Sequence, residues 1–204
     1  DHAGGLAALR EAFPEAEILG GPGPGALACN ARRAWRWGGV HFTVIHPPPG
    51  PRAGEGNARS CVLKVRAGSR GMLLLADVPR SVERRLAADL APQDVVVAAH
   101  HGSNGSSARV LAKRTTPRFV VFSAAEPSPF GHPHQDVLAR WAAVGARAVS
   151  TGREGMVRWD SRWPKRLRCA RGPAWWRATP TGGCGAETPR DGLLRSATPF
   201  SAGR

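Results

Sequence analysis

Hydrophobic positions along residues 1–160 follow two rhythms, one helical and one strand-like. In AGGLAALREAF (residues 3–13), Leu6, Leu9 and Phe13 fall at helical spacing, and Pro14 stops the pattern. AEILG predicts a short strand running into a glycine–proline loop. ARRAWRWGGVHFTVIHP then alternates. Trp35 and Trp37 lie on one arm, Gly38-Gly39 makes the turn, and Val40, Phe42 and Val44 lie on the other, which predicts a hairpin. Residues 47–59 read as a loop. SCVLKVRAG and RGMLLLADV predict a second hairpin whose latter arm is too uniformly apolar for an exposed edge. That arm ends at Asp77.

Val82, Leu86 and Leu90 recur every four residues, predicting a helix that packs one face. VVVAAHHGSNGSS (Val95–Ser107) then predicts a strand that delivers two adjacent histidines to its end. A helix near 107–114, a strand in RFVVFSA, a helix in HQDVLARWAAVG and a strand pair around RAVSTGREGMVRW complete the pattern. Strands alternating with helices and hairpins imply a layered α/β or α+β domain with covered sheets. From about Ser161 periodicity gives way to Arg, Gly and Pro. Residues 160–204 are expected to be a basic, disordered tail, and 1–159 the folded domain.

The formal charge is +14. Lys and Arg outnumber Asp and Glu by 20 to 13 over residues 1–160 and by 9 to 2 over 161–204, so the last quarter carries half of the excess. Such a balance favours polyanionic partners, nucleic acid before anionic lipid, although arginine- and alanine-rich composition also follows from GC-rich coding. Trp163, Trp175 and Trp176 would stack on bases beside these arginines or tuck against the domain. The four cysteines (Cys29, Cys61, Cys169, Cys184) have no zinc-type spacing. Cys61 is expected to be a buried small hydrophobe, and a disulfide between the two tail cysteines has no sequence support. No apolar run approaches the ~18 residues of a membrane helix, and no signal peptide is visible, which predicts a soluble chain. The chain opens on Asp1 inside what reads as a motif, which predicts a fragment of a longer protein.

Four features have metal-ligand chemistry. Asp1-His2 leads the chain. Asp77 ends a strongly apolar strand, as a helix cap or as a ligand at the sheet edge. His100-His101-Gly102-Ser103 follows a strand; Gly102 would let the backbone approach a ligand, and Ser106 or Ser107 would cap a helix whose first amides favour phosphate. His132 and His134 flank Pro133 directly before a helix. Histidines and carboxylates at strand ends suit zinc, manganese or iron, and a bridged pair of such ions suits phosphodiester cleavage.

Three segments, NARSCVLKVRAGSRGMLLLADVPRSVERRL, VVVAAHHGSNGSSARVLAK and FGHPHQDVLARW, resemble in order and spacing the metallo-β-lactamase-like domain of the ComEC family of DNA-internalisation competence proteins. The DHAGGL start looks like the end of the superfamily's H-x-H-x-D-H motif. The resemblance spans residues 1 to about 159. It implies an α+β fold, the four-layer αββα sandwich of the metallo-β-lactamase fold, incomplete on its N-terminal side because the leading histidines of that motif are absent.

The resemblance also implies a metal-dependent nuclease that degrades one strand of incoming DNA, with two divalent ions (Zn or Mn). Asp1, His2, Asp77 and His100 would be metal ligands, with Asp77 bridging. His132 and His134 would act with Asp77 in catalysis. His101, Ser103, Ser106 and Ser107 would face substrate, and His46 is an alternative ligand. Implied partners are single-stranded or duplex DNA, the membrane channel domain of the same parent protein and other competence proteins. The parent would sit in the bacterial inner membrane with this domain periplasmic. The alternatives are a free-standing metallo-hydrolase acting on another phosphodiester or ester, and a non-catalytic DNA-binding remnant.

Overall fold

Alternating β-branched and aromatic residues set the centre of the structure. In this computed structural model, which describes residues 4–20, 27–31, 33–50, 55–170 and 182–184, the chain opens with α1 (Leu6–Ala12). Two short parallel strands follow, β1 (Leu19–Gly20) and β2 (Leu27–Ala28). The next four strands are β3 (Ala34–Trp37), β4 (Val40–His46), β5 (Val62–Ala67) and β6 (Arg70–Leu74), which pair antiparallel in sequence order. Trp35 stacks on its cross-strand partner Phe42 at 5.1 Å, fixing the register of the first hairpin.

Beyond β6 the connections become crossovers. α2 (Arg80–Leu86) leads to β7 (Val95–Val97), α3 (Arg109–Thr115) to β8 (Phe119–Phe122), and α4 (Gln135–Ala142) to β9 (Arg147–Ser150). These strands join parallel to β6, so the seven-stranded sheet runs in sequence order from β3 to β9. Then come α5 (Thr151–Glu154), β10 (Met156–Trp159), β11 (Leu167–Ala170) and β12 (Gly182–Gly183), the three strands forming a second antiparallel sheet.

Strand alternation sorts the core into two clusters. Val62, Leu73, Val96, Val120 and Phe122 meet Val82, Leu111, Val137 and Trp141 of the helices. On the other face Val95, Phe119, Val121 and Val149 meet Leu167, Cys184 and the half-buried Val157 and Trp159 of the small sheet. The fold is α+β, with three layers among the described residues: helices, the mixed seven-stranded sheet and the small sheet. No described helix is long and apolar enough to cross a membrane.

Several expectations change. The domain does not stop at residue 159. β11 pairs with β10, Leu167 is buried, and Cys169 is bonded to Cys184. Residues 171–181 and 185–204, Trp175 and Trp176 included, lie outside the described residues. Cys61 is no lone hydrophobe, because it is disulfide-bonded to Cys29. The two disulfides span 32 and 15 residues of chain, each a constraint on the unfolded state of order 2–4 kcal/mol. The strands around Ser150 do not pair with each other, since β9 closes the large sheet while β10 opens the small one. α1 forms where its spacing predicts, yet it buries none of its residues, and Leu9 and the following Phe13 are exposed.

Candidate active site

Three parallel strands, β6, β7 and β8, end side by side, and their carboxyl ends carry the chemistry. Pairing continues past the strands themselves. Leu75 donates its N–H to Val97, Ala98 to Val121, and His100 to the carbonyl of Ala76 at 2.8 Å. That last bond places Asp77 and the histidine pair in adjacent loops at one sheet edge, the usual position for ligand sites in open parallel sheets.

Asp77 does not cap α2. The cap position is Pro79, without a side-chain bond, and Asp77 is buried with its Oδ1 3.8 Å from His101 Nε2. His101 Nδ1 lies 2.7 Å from the carbonyl of Ser123, at the end of β8. A carbonyl only accepts, so Nδ1 carries the proton and Nε2 faces the carboxylate, the bracing that commonly orients a metal-binding imidazole. His100 turns its ring edge-on to His132 at 6.1 Å, joining the second loop to the third. Burial above all, then the neighbouring imidazole of His100, holds the His132 pKa below the ordinary histidine value, which favours the neutral form that a ligand or proton acceptor needs. His134 caps α4, where its Nδ1 accepts from the N–H of Asp136. In the neutral ring that leaves the proton on Nε2, free to donate.

The backbone is strained where these groups meet. Ala76, His100 and His101 take φ of 47°, 49° and 55°, and Gly102 follows at 87°. Left-handed backbone at a non-glycine residue costs of order 1–2 kcal/mol, and here it clusters at the candidate site. The positive φ at position 76 is one that glycine takes without strain. Ala76→Gly is expected to raise stability by about 1 kcal/mol in chemical denaturation while leaving the loop geometry intact.

Gly102 has a different role from the one its sequence context suggests. It lets one loop of the site approach another. A Cβ there would lie 2.6 Å from Pro133 Cβ, 2.7 Å from Phe122 Cδ1 and 2.9 Å from Pro133 Cα, and its carbonyl accepts from His134 N–H at 2.9 Å. The His-His-Gly loop and the His-Pro-His loop are therefore docked on each other through this one residue.

The serines that follow are turned mostly inward. Ser106 is fully buried and donates to the carbonyls of Ala99 and Ser103, both at 2.8 Å. Ser107 is also fully buried, and its hydroxyl accepts from Trp141 Nε1 at 3.0 Å. Neither faces solvent. Ser103 is half-buried and its hydroxyl accepts from Gly105 N–H, which leaves it the exposed member of the three.

The helix start that was expected to hold an external phosphate is occupied from within. Neither Ser106 nor Ser107 caps α3. Its cap is Ala108, whose N–H donates to the buried Glu83 carboxylate at 2.7 Å. Burial pushes the Glu83 pKa up to about 7 from 4.5, against the lowering effect of the Ala108 and Ser107 amides and of Arg80 and Arg140. Arg140 in turn clamps the loop above, donating to the Ser106 carbonyl at 3.0 Å and to Asn104 Oδ1 at 2.8 Å. Glu83 lies beside Val82 and three residues before Leu86, inside the apolar stripe of α2, so the sequence pattern does signal its burial.

Because the folded pKa is raised, the unfolded chain loses its Glu83 proton first. Stability is therefore full below pH 4.5 and falls by ~3 kcal/mol as pH climbs to about 7. Glu83→Gln is expected to flatten that slope in denaturation midpoints measured from pH 4.5 to 7.5.

Of the expected metal ligands, Asp77 and His100 lie in adjacent loops with His101, His132 and His134 of the expected catalytic and substrate-facing residues, while Asp1 and His2 lie outside the described residues. His46 makes its hydrogen bond elsewhere. It is buried at the end of β4, its Nε2 bonded to the Ala58 carbonyl at 2.8 Å, and burial lowers its pKa. The donor types suit a divalent ion, but among the described residues no group of three His, Cys, Asp or Glu side chains is arranged to hold one. The described donors alone do not make a complete metal site.

No family model matches the chain. Over 163 residues it is 31% identical to competence protein ComA of Neisseria gonorrhoeae, covering 77% of this chain and 23% of that protein. Over another 163 it is 29% identical to recombination protein 2 of Haemophilus influenzae, covering 78% and 21%. ComE operon protein 3 of Bacillus subtilis matches at 27% over 123 residues, 59% of this chain and 16% of that protein. The chain belongs to the ComEC family of competence proteins. It spans about a fifth of the length of the first two ComEC relatives. Among solved structures, CmlA, a diiron β-hydroxylase from Streptomyces venezuelae, aligns with a TM-score of 0.43 at 14% identity, covering 60% of this chain and 32% of that one. A likeness that slight transfers no chemistry to the ComEC segment.

Proposed function

We propose that this chain is part of the metal-dependent hydrolase domain of a DNA-uptake protein, with a metallo-β-lactamase fold, and that the complete domain of the parent protein cleaves phosphodiesters in one strand of incoming DNA, which this part alone need not do. The observation that carries the reading is the convergence of a buried carboxylate, Asp77, with His100, His101 and His132 at the ends of three parallel strands. Family membership supplies the DNA context.

Asp77 and the Nε2 face of His101 would hold divalent metal, zinc or manganese, together with His100 and with Asp1 and His2. A bound ion would supply Lewis acidity toward a phosphate. His132, kept neutral by burial, would accept a proton or a ligand bond. His134 would donate from Nε2 to a phosphate oxygen, and Ser103 would line its approach. His101 was expected to face substrate; its bracing by Ser123 favours a ligand role instead. The two disulfides support an oxidising compartment such as the periplasm, beside a membrane-embedded channel of the same parent protein.

The test is cleavage of labelled single-stranded DNA by the complete domain of the parent protein in manganese or zinc, with and without chelator. A second reading, metal-independent DNA binding without catalysis, is favoured by the net charge of +14. It requires chelator-insensitive binding and no cleavage.

A further inference from the structure

We propose that the β10–β11 hairpin carries a binding site for single-stranded DNA, in which arginines take successive phosphates and Trp163 stacks on a base. This deepens the proposed function by naming how the strand is held, and it rests on that reading for its biological context.

The site is a groove lined by Arg158, Asp160, Arg162, Trp163, Arg166 and Arg168. Arg158 and Arg168 are exposed cross-strand partners in the antiparallel register. Like charges directly opposite each other on a sheet are destabilising, and an anion bridging them removes the cost. Among the described residues no ion pair neutralises Arg158, Arg166 or Arg168. The Asp160 carboxylate is already engaged by Arg162, whose Nε and Nη2 both donate to it. The groove thus holds three arginines without an ion pair among the described residues, around the one Asp160–Arg162 pair.

Trp163 stands in the hairpin loop and is 62% exposed. The loop holds it there in a fixed frame. Trp163 N–H donates to the Asp160 carbonyl at 2.9 Å, Arg166 N–H donates to the Trp163 carbonyl at 3.0 Å, and Trp159, packed on the core side, donates its indole N–H to the Pro164 carbonyl at 3.3 Å. An exposed indole on a pre-ordered turn beside arginines is a stacking platform with an electrostatic track. A duplex would offer this groove its phosphates but keep its base faces hidden, so the site should prefer single strands.

The experiment measures binding alone, by fluorescence anisotropy of labelled oligo(dT) and of a duplex of equal length, on the full chain in chelator. Trp163→Ala should weaken oligo(dT) binding roughly tenfold while changing duplex binding less than about twofold, and Trp163→Phe should restore most of it. Arg158→Ala combined with Arg168→Ala should lower the slope of log K against log salt by about 1.4 for oligo(dT). Circular dichroism checks that each variant is folded. Wild-type oligo(dT) affinity and salt slope in both variants would overturn the proposal. So would phosphatidylglycerol vesicles binding with the same arginine and tryptophan dependence while oligo(dT) does not bind. Asp77→Ala is carried alongside: loss of cleavage there with oligo(dT) binding intact concerns the active site alone, whereas loss of the Trp163 effect concerns the groove alone.

Discussion

Asp77→Ala should remove metal-dependent DNA cleavage and weaken manganese or zinc binding more than the roughly 10–100-fold expected for losing an outer-shell partner. The carboxylate is buried against His101 Nε2, and His101 is fixed from behind by the Ser123 carbonyl. Removing Asp77 takes away a negative charge that no other described side chain occupies the same loop to replace. His101→Ala should produce a comparable loss, because only Nε2 of that ring points at Asp77. His134→Ala should do less to metal binding, since its Nδ1 serves the α4 cap, and should cost about 1 kcal/mol of stability. Titration calorimetry with each metal, beside a cleavage assay, separates these cases. Equal metal affinity in wild type and Asp77→Ala would place the metal elsewhere.

The second large effect is structural. Gly102→Ala is expected to destabilise the domain by about 3 kcal/mol, the sum of a left-handed backbone cost and overpacking against Pro133 and Phe122. Pro133 approaches with its Cα as well as its ring, so the clash cannot be relieved by turning a flexible side chain. The two histidine loops would have to separate, and activity should fall even at temperatures where the variant stays folded. Gly131→Ala provides the control. Its φ is 66°, but nothing lies within 4 Å of its Cβ position, so it should lose only the backbone cost of about 1 kcal/mol. Urea midpoints for the two variants test the difference. Equal losses would remove the loop-docking role assigned to Gly102.

Periodicity made much of this arrangement readable. Two apolar-rich runs around Gly68-Ser69 marked the second hairpin, and the run Val95–Val97 marked the strand that carries the histidines. Asp77, the histidine pair and His132 were legible because their side chains are chemically conspicuous beside the apolar runs that precede them. What stayed hidden was settled by neighbours distant in sequence. The hydroxyls of Ser106 and Ser107 look available until Ala99 and Trp141 are placed beside them. The α3 amide looks open to phosphate until Glu83, 25 residues earlier, reaches it. Gly102 looks like a ligand-facing glycine, yet its neighbour is Pro133. The hairpin beyond Trp159 lacks apolar alternation because its outer face is arginine; Leu167 and the Cys169–Cys184 bond hold it to the sheet. Which cysteines pair follows from the tertiary path and is invisible in their spacing.

The most direct measurement for the central claim is cleavage of 5′-labelled single-stranded DNA by the complete domain of the parent protein in manganese, repeated with excess chelator and with Asp77→Ala. The account predicts cleavage in manganese that stops with chelator and is absent from the variant. Cleavage that survives both, or DNA binding without cleavage under any metal, would contradict it.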